Sequence, residues 1–203
     1  MRKIASVGIL VADVVAKPVS RYPERGVCVH VDTMELHVGG CAANTGLALA
    51  KLGLPVAVIG KVGTDAFGDF LLHTLTQHGV DTRGILRTAT GTSSTMVMVH
   101  PDGERSFIHT VGANGELTAD DIDWTIVQEC GLFHLAGAFL MPKLDGEPAS
   151  KVLQCAKALG LITCLDTTWD ASGRWMEVLR PCMPYIDYIV PNYGETCELT
   201  GET

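Results

Sequence analysis

Short apolar runs alternate with amphipathic stretches along nearly the whole chain. The runs Ile4–Val11, Val56–Val62, Gly131–Ala136, Ile162–Asp166 and Tyr185–Val190 are apolar at successive rather than alternate positions. That pattern predicts strands covered on both faces. Helices are predicted between them. Ala42–Leu52 stops at Gly53 with Pro55 close behind, and Asp65–His78 places Phe67, Phe70, Leu71 and Leu75 on one stripe before Gly79. Thr118 and Asp121 have capping-box spacing ahead of Ile122–Glu129, and Pro148–Leu159 carries Val152, Leu153, Ala156 and Leu159 on one face. Strand–helix alternation of this kind predicts an α/β fold: a doubly wound, mostly parallel sheet flanked by helices.

Two segments break the rhythm, at about residues 14–37 and 91–112. Ser94–His100 and Ser106–Val111 are short β-type runs joined by Pro101-Asp102-Gly103-Glu104, a turn that predicts a hairpin. Val27–Val38 also has β character. Together they predict a small accessory sheet built from two distant segments, within one domain over residues 1–203. The strand Tyr185–Val190 and a helix start at Glu195–Leu199 come last. With no layer after them, the sheet edge would be unprotected. The expectation is therefore an incomplete domain whose C-terminal part is missing.

Composition narrows the function. The 203 residues are 47% hydrophobic and 19% charged, with 15 basic against 23 acidic side chains and a net charge of -8. No broad basic face is available for a nucleic-acid backbone. No uncharged apolar stretch is long enough for a membrane span. Asp13 interrupts the N-terminal apolar run, so a secretory signal is not expected. Seven cysteines without CxxC spacing fit reduced thiols in the cytoplasm better than disulfides or zinc. The histidines form neither HxxxH nor HExxH, and Trp169 and Trp175 are expected to pack rather than recognise.

Candidate chemistry gathers at predicted strand ends, where open parallel sheets bind ligands. Asp13 follows the first run; its carboxylate can accept from two sugar hydroxyls, or it is a turn former. Gly39 and Gly40 precede a helix whose free N–H groups and first-turn Asn44 suit a polyol, or form a plain capped turn. Residues 60–68 read as structural capping, and the phosphate loops GxxxxGK[ST] and GxGxxG are absent. That disfavours a dinucleotide oxidoreductase. Asp166 closes a later strand. Asn192 and Glu195 are either oxygen ligands suited to Mg²⁺ or a capping pair.

These motifs, taken in order, resemble the ribokinase-like (PfkB) carbohydrate kinase family. GGCAANTGLALAKLG is similar to its N-terminal signature, GKVGTDAFGDFL to the continuation, and VPNYGETCELTG to its PNxxE…LTG segment. The resemblance implies a lid-bearing kinase fold, often dimeric through the lid. It implies transfer of the ATP γ-phosphoryl group to a sugar hydroxyl with Mg²⁺. By motif position Asp13, Gly39, Gly40 and Asn44 would bind the sugar. Asp166, Asn192 and Glu195 would serve the ATP phosphates, with Glu195 on the metal. Two departures stand out: Cys41 replaces the Lys of ribokinases proper, which argues against ribose, and no GAGD segment occurs in the 203 residues. Its Asp is the family's general base, so no catalytic base is assigned and little turnover is expected from these residues alone. A non-catalytic sugar-binding or dimerising module, or a nucleoside kinase of the same family, are the alternatives.

Overall fold

The computed structural model describes residues 2–202. Six parallel strands make the main sheet: β1 (Lys3–Gly8), β4 (Val56–Gly63), β5 (Asp81–Thr88), β8 (Cys130–Ala138), β9 (Ile162–Thr167) and β10 (Tyr188–Ile189), in the order β10-β9-β8-β1-β4-β5. A second sheet, ordered β3-β2-β6-β7, consists of β2 (Val11–Lys17), β3 (Thr33–Gly39), β6 (Ser94–Val99) and β7 (Arg105–Thr110). It is mixed, because β2 pairs parallel to β6 and antiparallel to β3. This is the α/β sandwich with a small accessory sheet that the hydropathy rhythm predicts.

Helices α1 (Cys41–Lys51) and α2 (Ala66–Gln77) cover one face of the main sheet, where Leu71 and Leu75 of α2 join Val56 and Val58 of β4 in one core. Helix α4 (Glu147–Ala158) covers the other, its Leu153 joining Val7, Phe133, Leu135 and Leu165 of the sheet in one core. Alternate residues of β4 serve the two cores: Val56 and Val58 on one side, Ala57 and Ile59 on the other. That two-sided burial is why the strand runs are continuously apolar.

The boundaries differ from expectation in informative places. The run Ile4–Val11 is two elements: the chain leaves the main sheet after Gly8 and enters the accessory sheet at Val11. Gly8 has φ +148, and a methyl there would sit 1.9 Å from the Ala136 carbonyl oxygen. The intervening Leu10 is held by Asn114, whose amide both accepts from its N–H and donates to its carbonyl at 3.1 Å. Asp13 therefore lies inside an accessory strand rather than directly after a main-sheet strand. Strand β5 has no counterpart in the hydropathy reading, because as an edge strand it buries little beyond Gly84 and Ile85. The β-type stretch 27–38 becomes a strand only from Thr33.

Further along, the helix expected at Ile122–Glu129 is α3 (Trp124–Gln128) with its own cap, Asp123. The Thr118–Asp121 capping box forms, but on a preceding 3₁₀ turn, Ala119–Asp121. The strand expected at Tyr185–Val190 shrinks to two residues after a 3₁₀ turn at Met183–Tyr185. A short helix α5 (Met176–Leu179) was not foreseen, and α6 (Tyr193–Thr200) completes the described elements. All seven cysteines are free thiols. No described helix is long and apolar enough to cross a membrane.

Candidate active site

A cleft of about 220 Å³ lies where the accessory sheet overhangs the start of α1. Its accessory-sheet wall follows from strand register. Asp13 pairs with His37 on β3 and Thr95 on β6, and Thr95 pairs with His109 on β7. Directly paired residues share a face. One row therefore runs His37–Asp13–Thr95–His109 across four strands, and the last three of these line the cleft. The opposite wall comes from the main domain: Gly40, Cys41 and Asn44 at the start of α1, and Leu140 after β8.

The two glycines perform different tasks. At Gly39 a methyl would lie 2.1 Å from Asp13 Oδ2, so the missing side chain is the space that the carboxylate occupies. Gly40 has φ +84, and a methyl there would come within 2.5 Å of the Ile9 carbonyl oxygen. It is also the N-cap of α1 and contributes no side-chain cap. The chain can thus turn sharply into a helix whose first turn faces the cleft. Asn44 stands in that turn, exposed, its own N–H bonded to the Gly40 carbonyl at 2.9 Å.

Burial pushes the Asp13 carboxyl above its ordinary value, opposed by a hydrogen bond from Thr95 and by the nearby His109 and His37. Burial also lowers the His109 imidazole, although Asp13 pulls it the other way. With the Thr95 hydroxyl proton given to Asp13, the 3.0 Å contact between Thr95 Oγ1 and His109 Nδ1 is made by the imidazole N–H. The result is a carboxylate acceptor facing a mixed donor and acceptor, Asn44, across a small cleft. That combination suits hydroxyl groups.

The second cluster lies at the ends of β9 and β10. Asp166 accepts from the Gly137 N–H at 2.6 Å and from the Cys41 thiol. Burial raises its carboxyl to about 6, with Glu195 repelling it further. Cys41 is pushed up to about 12, chiefly by burial, and stays a neutral thiol. It touches both groups: it lines the Asp13 cleft and donates to Asp166. Asn192 caps α6 by accepting from the Glu195 N–H at 2.9 Å, while Glu195 accepts from the Asn192 N–H and side-chain amide. Glu195 also accepts from Thr167 Oγ1 at 2.6 Å and is buried. The capping pair contemplated for Asn192 and Glu195 is therefore formed.

No group of three or more His, Cys, Asp or Glu able to hold a metal exists among the described residues. Mg²⁺ does not require such a cage, since it commonly uses one or two carboxylates together with water and phosphate oxygens. Asp166 and Glu195 lie near enough for Glu195 to add a small repulsion to the burial that raises the Asp166 carboxyl, and two carboxylates at one place are the oxygen donors that Mg²⁺ takes.

Several cleft residues escaped sequence reasoning. Thr95, Phe107 and His109 line the cleft from the hairpin, and Leu140 from the loop after β8. Strand alternation would have put Thr95 and Val97, or Phe107 and His109, on one face. Only the register with β2 shows that this face carries Asp13.

The elevated Asp166 carboxyl makes a pH prediction. A carboxyl whose folded value (about 6) exceeds its unfolded one contributes stability below the unfolded value and loses it as pH rises through about 6. Asp166→Asn, which keeps an acceptor for the Gly137 N–H, should raise the melting temperature at pH 8. The gain should shrink toward zero between pH 6 and pH 4, as thermal melts across that range would show.

Comparison with known proteins gives the same picture. The model of the pfkB family carbohydrate kinases matches residues 1–203. An inferred sugar kinase of Pyrococcus horikoshii is 31% identical over 205 residues, covering 98% of this chain and 64% of that protein. Fructokinase-2 of Zea mays is 32% identical over 170 residues, covering 80% of this chain and 51% of the relative. Arabidopsis thaliana ribokinase, solved with ribose and ATP, superposes with a TM-score of 0.81 at 27% identity, covering 98% of this chain and 63% of that one. The chain thus spans less than two thirds of the length of each of these relatives.

Proposed function

The chain belongs to the pfkB family of carbohydrate kinases, and from that premise we propose that its cleft holds the sugar that receives the γ-phosphoryl group of ATP. The supporting observation is that Asp13, on the accessory-sheet strand β2, and Asn44, in the first turn of α1, line one cleft although they are far apart in sequence. Asp13 accepts from sugar hydroxyls, Asn44 both donates and accepts, and Gly39 and Gly40 open the space for them. Asp166, Asn192 and Glu195 serve the phosphate end, with Cys41 packed between the two ends. Mg²⁺, held there by Glu195 and Asp166, would neutralise charge on the transferring phosphate. Asn192 and Glu195 fix the start of α6 by capping it reciprocally.

Within these 203 residues no GAGD segment supplies a base to take the hydroxyl proton. A positioned base contributes roughly 10²–10⁴-fold. We therefore infer that these residues alone bind sugar with little turnover, in the cytoplasm, as a homodimer through the accessory sheet. The exposed Met34, Met96 and Ile108 on its outer face support that pairing. Calorimetry over a panel of D-fructose, D-ribose and related sugars, beside a phosphorylation assay, tests this reading. No heat with any sugar would overturn it.

Gly39→Ala separates binding from folding. The backbone at Gly39 is ordinary, so the added methyl collides with the movable Asp13 carboxylate rather than with backbone. Sugar affinity should fall at least about tenfold while the melting temperature stays within a few degrees of the parent. A collapse of both would mean that Gly39 serves the fold instead.

A further inference from the structure

A second cavity, about 500 Å³, opens between the loops that follow β8 and β9 and shares Leu140 with the Asp13 cleft. Trp175 is buried, while Trp169 forms part of the cavity wall with 58% of its surface exposed. The indole is braced edge-on by Trp175, with ring centroids 5.0 Å apart, and Trp175 meets Phe139 edge-on at 5.4 Å. Phe139 at φ +83 and Trp175 at φ +34 are the two non-glycine residues with positive φ among the described residues. Such conformations are unfavourable and persist only where the surroundings impose them.

The surroundings do so here. Asp145 accepts from the N–H groups of Phe139 and Met141 at 3.0 Å, and Asp170 from those of Arg174 and Trp175 at 2.7 Å. Both carboxylates are committed to backbone, so they build the wall rather than place charge in the cavity. The remaining surface is apolar at Pro142 and Val178, with Glu147, Glu177 and Arg174 at the rim. A braced, exposed aromatic face takes the weakly polar face of a ring, and rim groups that donate and accept take its hydroxyls. Two rim carboxylates against one guanidinium disfavour an anionic ring.

Resting on the reading that Asp13 and Asn44 hold the acceptor sugar, we propose that this cavity is a carbohydrate subsite stacking a second, neutral glycosyl ring on Trp169. The acceptor is then a disaccharide or glycoside rather than a free monosaccharide. The test is calorimetry and tryptophan fluorescence on the 203-residue chain with D-fructose, D-glucose, maltulose, turanose and maltose. At least one disaccharide should bind about tenfold or more tighter than its parent monosaccharides and change the fluorescence. Trp169→Ala should remove that gain and the fluorescence change, and Trp169→Phe should restore part of the gain; circular dichroism checks that both variants fold. Disaccharides no tighter than monosaccharides, or a Trp169→Ala variant that weakens both equally, would overturn the subsite. A disaccharide signal that survives Asp13→Asn unchanged would instead overturn the Asp13 reading, and with it the claim that both rings belong to one acceptor.

Discussion

Asp13→Asn should weaken sugar binding about a hundredfold while leaving the protein folded. The substitution keeps shape and one acceptor oxygen but removes the charge. Hydrogen bonds to a charged group are worth roughly 1.5–3 kcal/mol, and a carboxylate gripping two hydroxyls loses about 3 kcal/mol, or a factor near 10², when neutralised. Stability should move the other way. Burial raises the Asp13 carboxyl, so ionising it in the folded chain is unfavourable. Its contribution is present at low pH and lost as pH rises through the raised folded value. The Asn variant should accordingly melt no lower than the parent at pH 8. Calorimetry and thermal melts on the same samples read both quantities. Unchanged affinity would remove Asp13 from the sugar site, and a lower melting temperature would make it a structural residue.

The largest effect on folding is expected at Gly8. Its φ of +148 is poorly tolerated by other residues, and a methyl there would meet the backbone oxygen of Ala136 at 1.9 Å. A backbone atom in the middle of a sheet cannot swing aside as a side chain can. Gly8→Ala should therefore cost more than about 4 kcal/mol, a large share of the 5–15 kcal/mol typical of a whole domain. Urea unfolding followed by circular dichroism should show a strongly lowered midpoint or no folded chain. A loss below about 1 kcal/mol would mean that the parallel pairing of β1 with β8, in which Gly8 lies beside Ala136, adjusts easily.

Gly8 also shows why part of the architecture was legible in sequence and part was not. Continuous apolar runs reveal the central strands because both faces are buried, and Gly53, Gly79 and Gly160 mark helix ends at turns they alone fit easily. The same continuity hid the step from β1 to β2: Ile9, Leu10 and Val11 are buried in either sheet, so hydropathy passes through the break unmarked. Strand β5 was hidden for the opposite reason, since an edge strand buries too little to leave a pattern. At the site, Gly40 and Asn44 stand out through residue type at a loop–helix junction, and Asp13 as a carboxylate that breaks an apolar run. His109 and Thr95 do not, because a histidine and a threonine on a hairpin become cleft residues only through pairing with β2. Trp169 packs edge-on against Trp175 and is nonetheless 58% exposed, a difference that residue type alone does not carry.

The crossover at Ile9 and Leu10 sets how motion would spread through the accessory sheet. Asp13 lies near that pivot, whereas Lys17 lies at the far end of the same strand. If the sheet rocks as a plate about the junction, its outer tips sweep a wide arc and the carboxylate a narrow one. The grip on a bound ring could then stay almost stationary while the mouth around it opens and shuts.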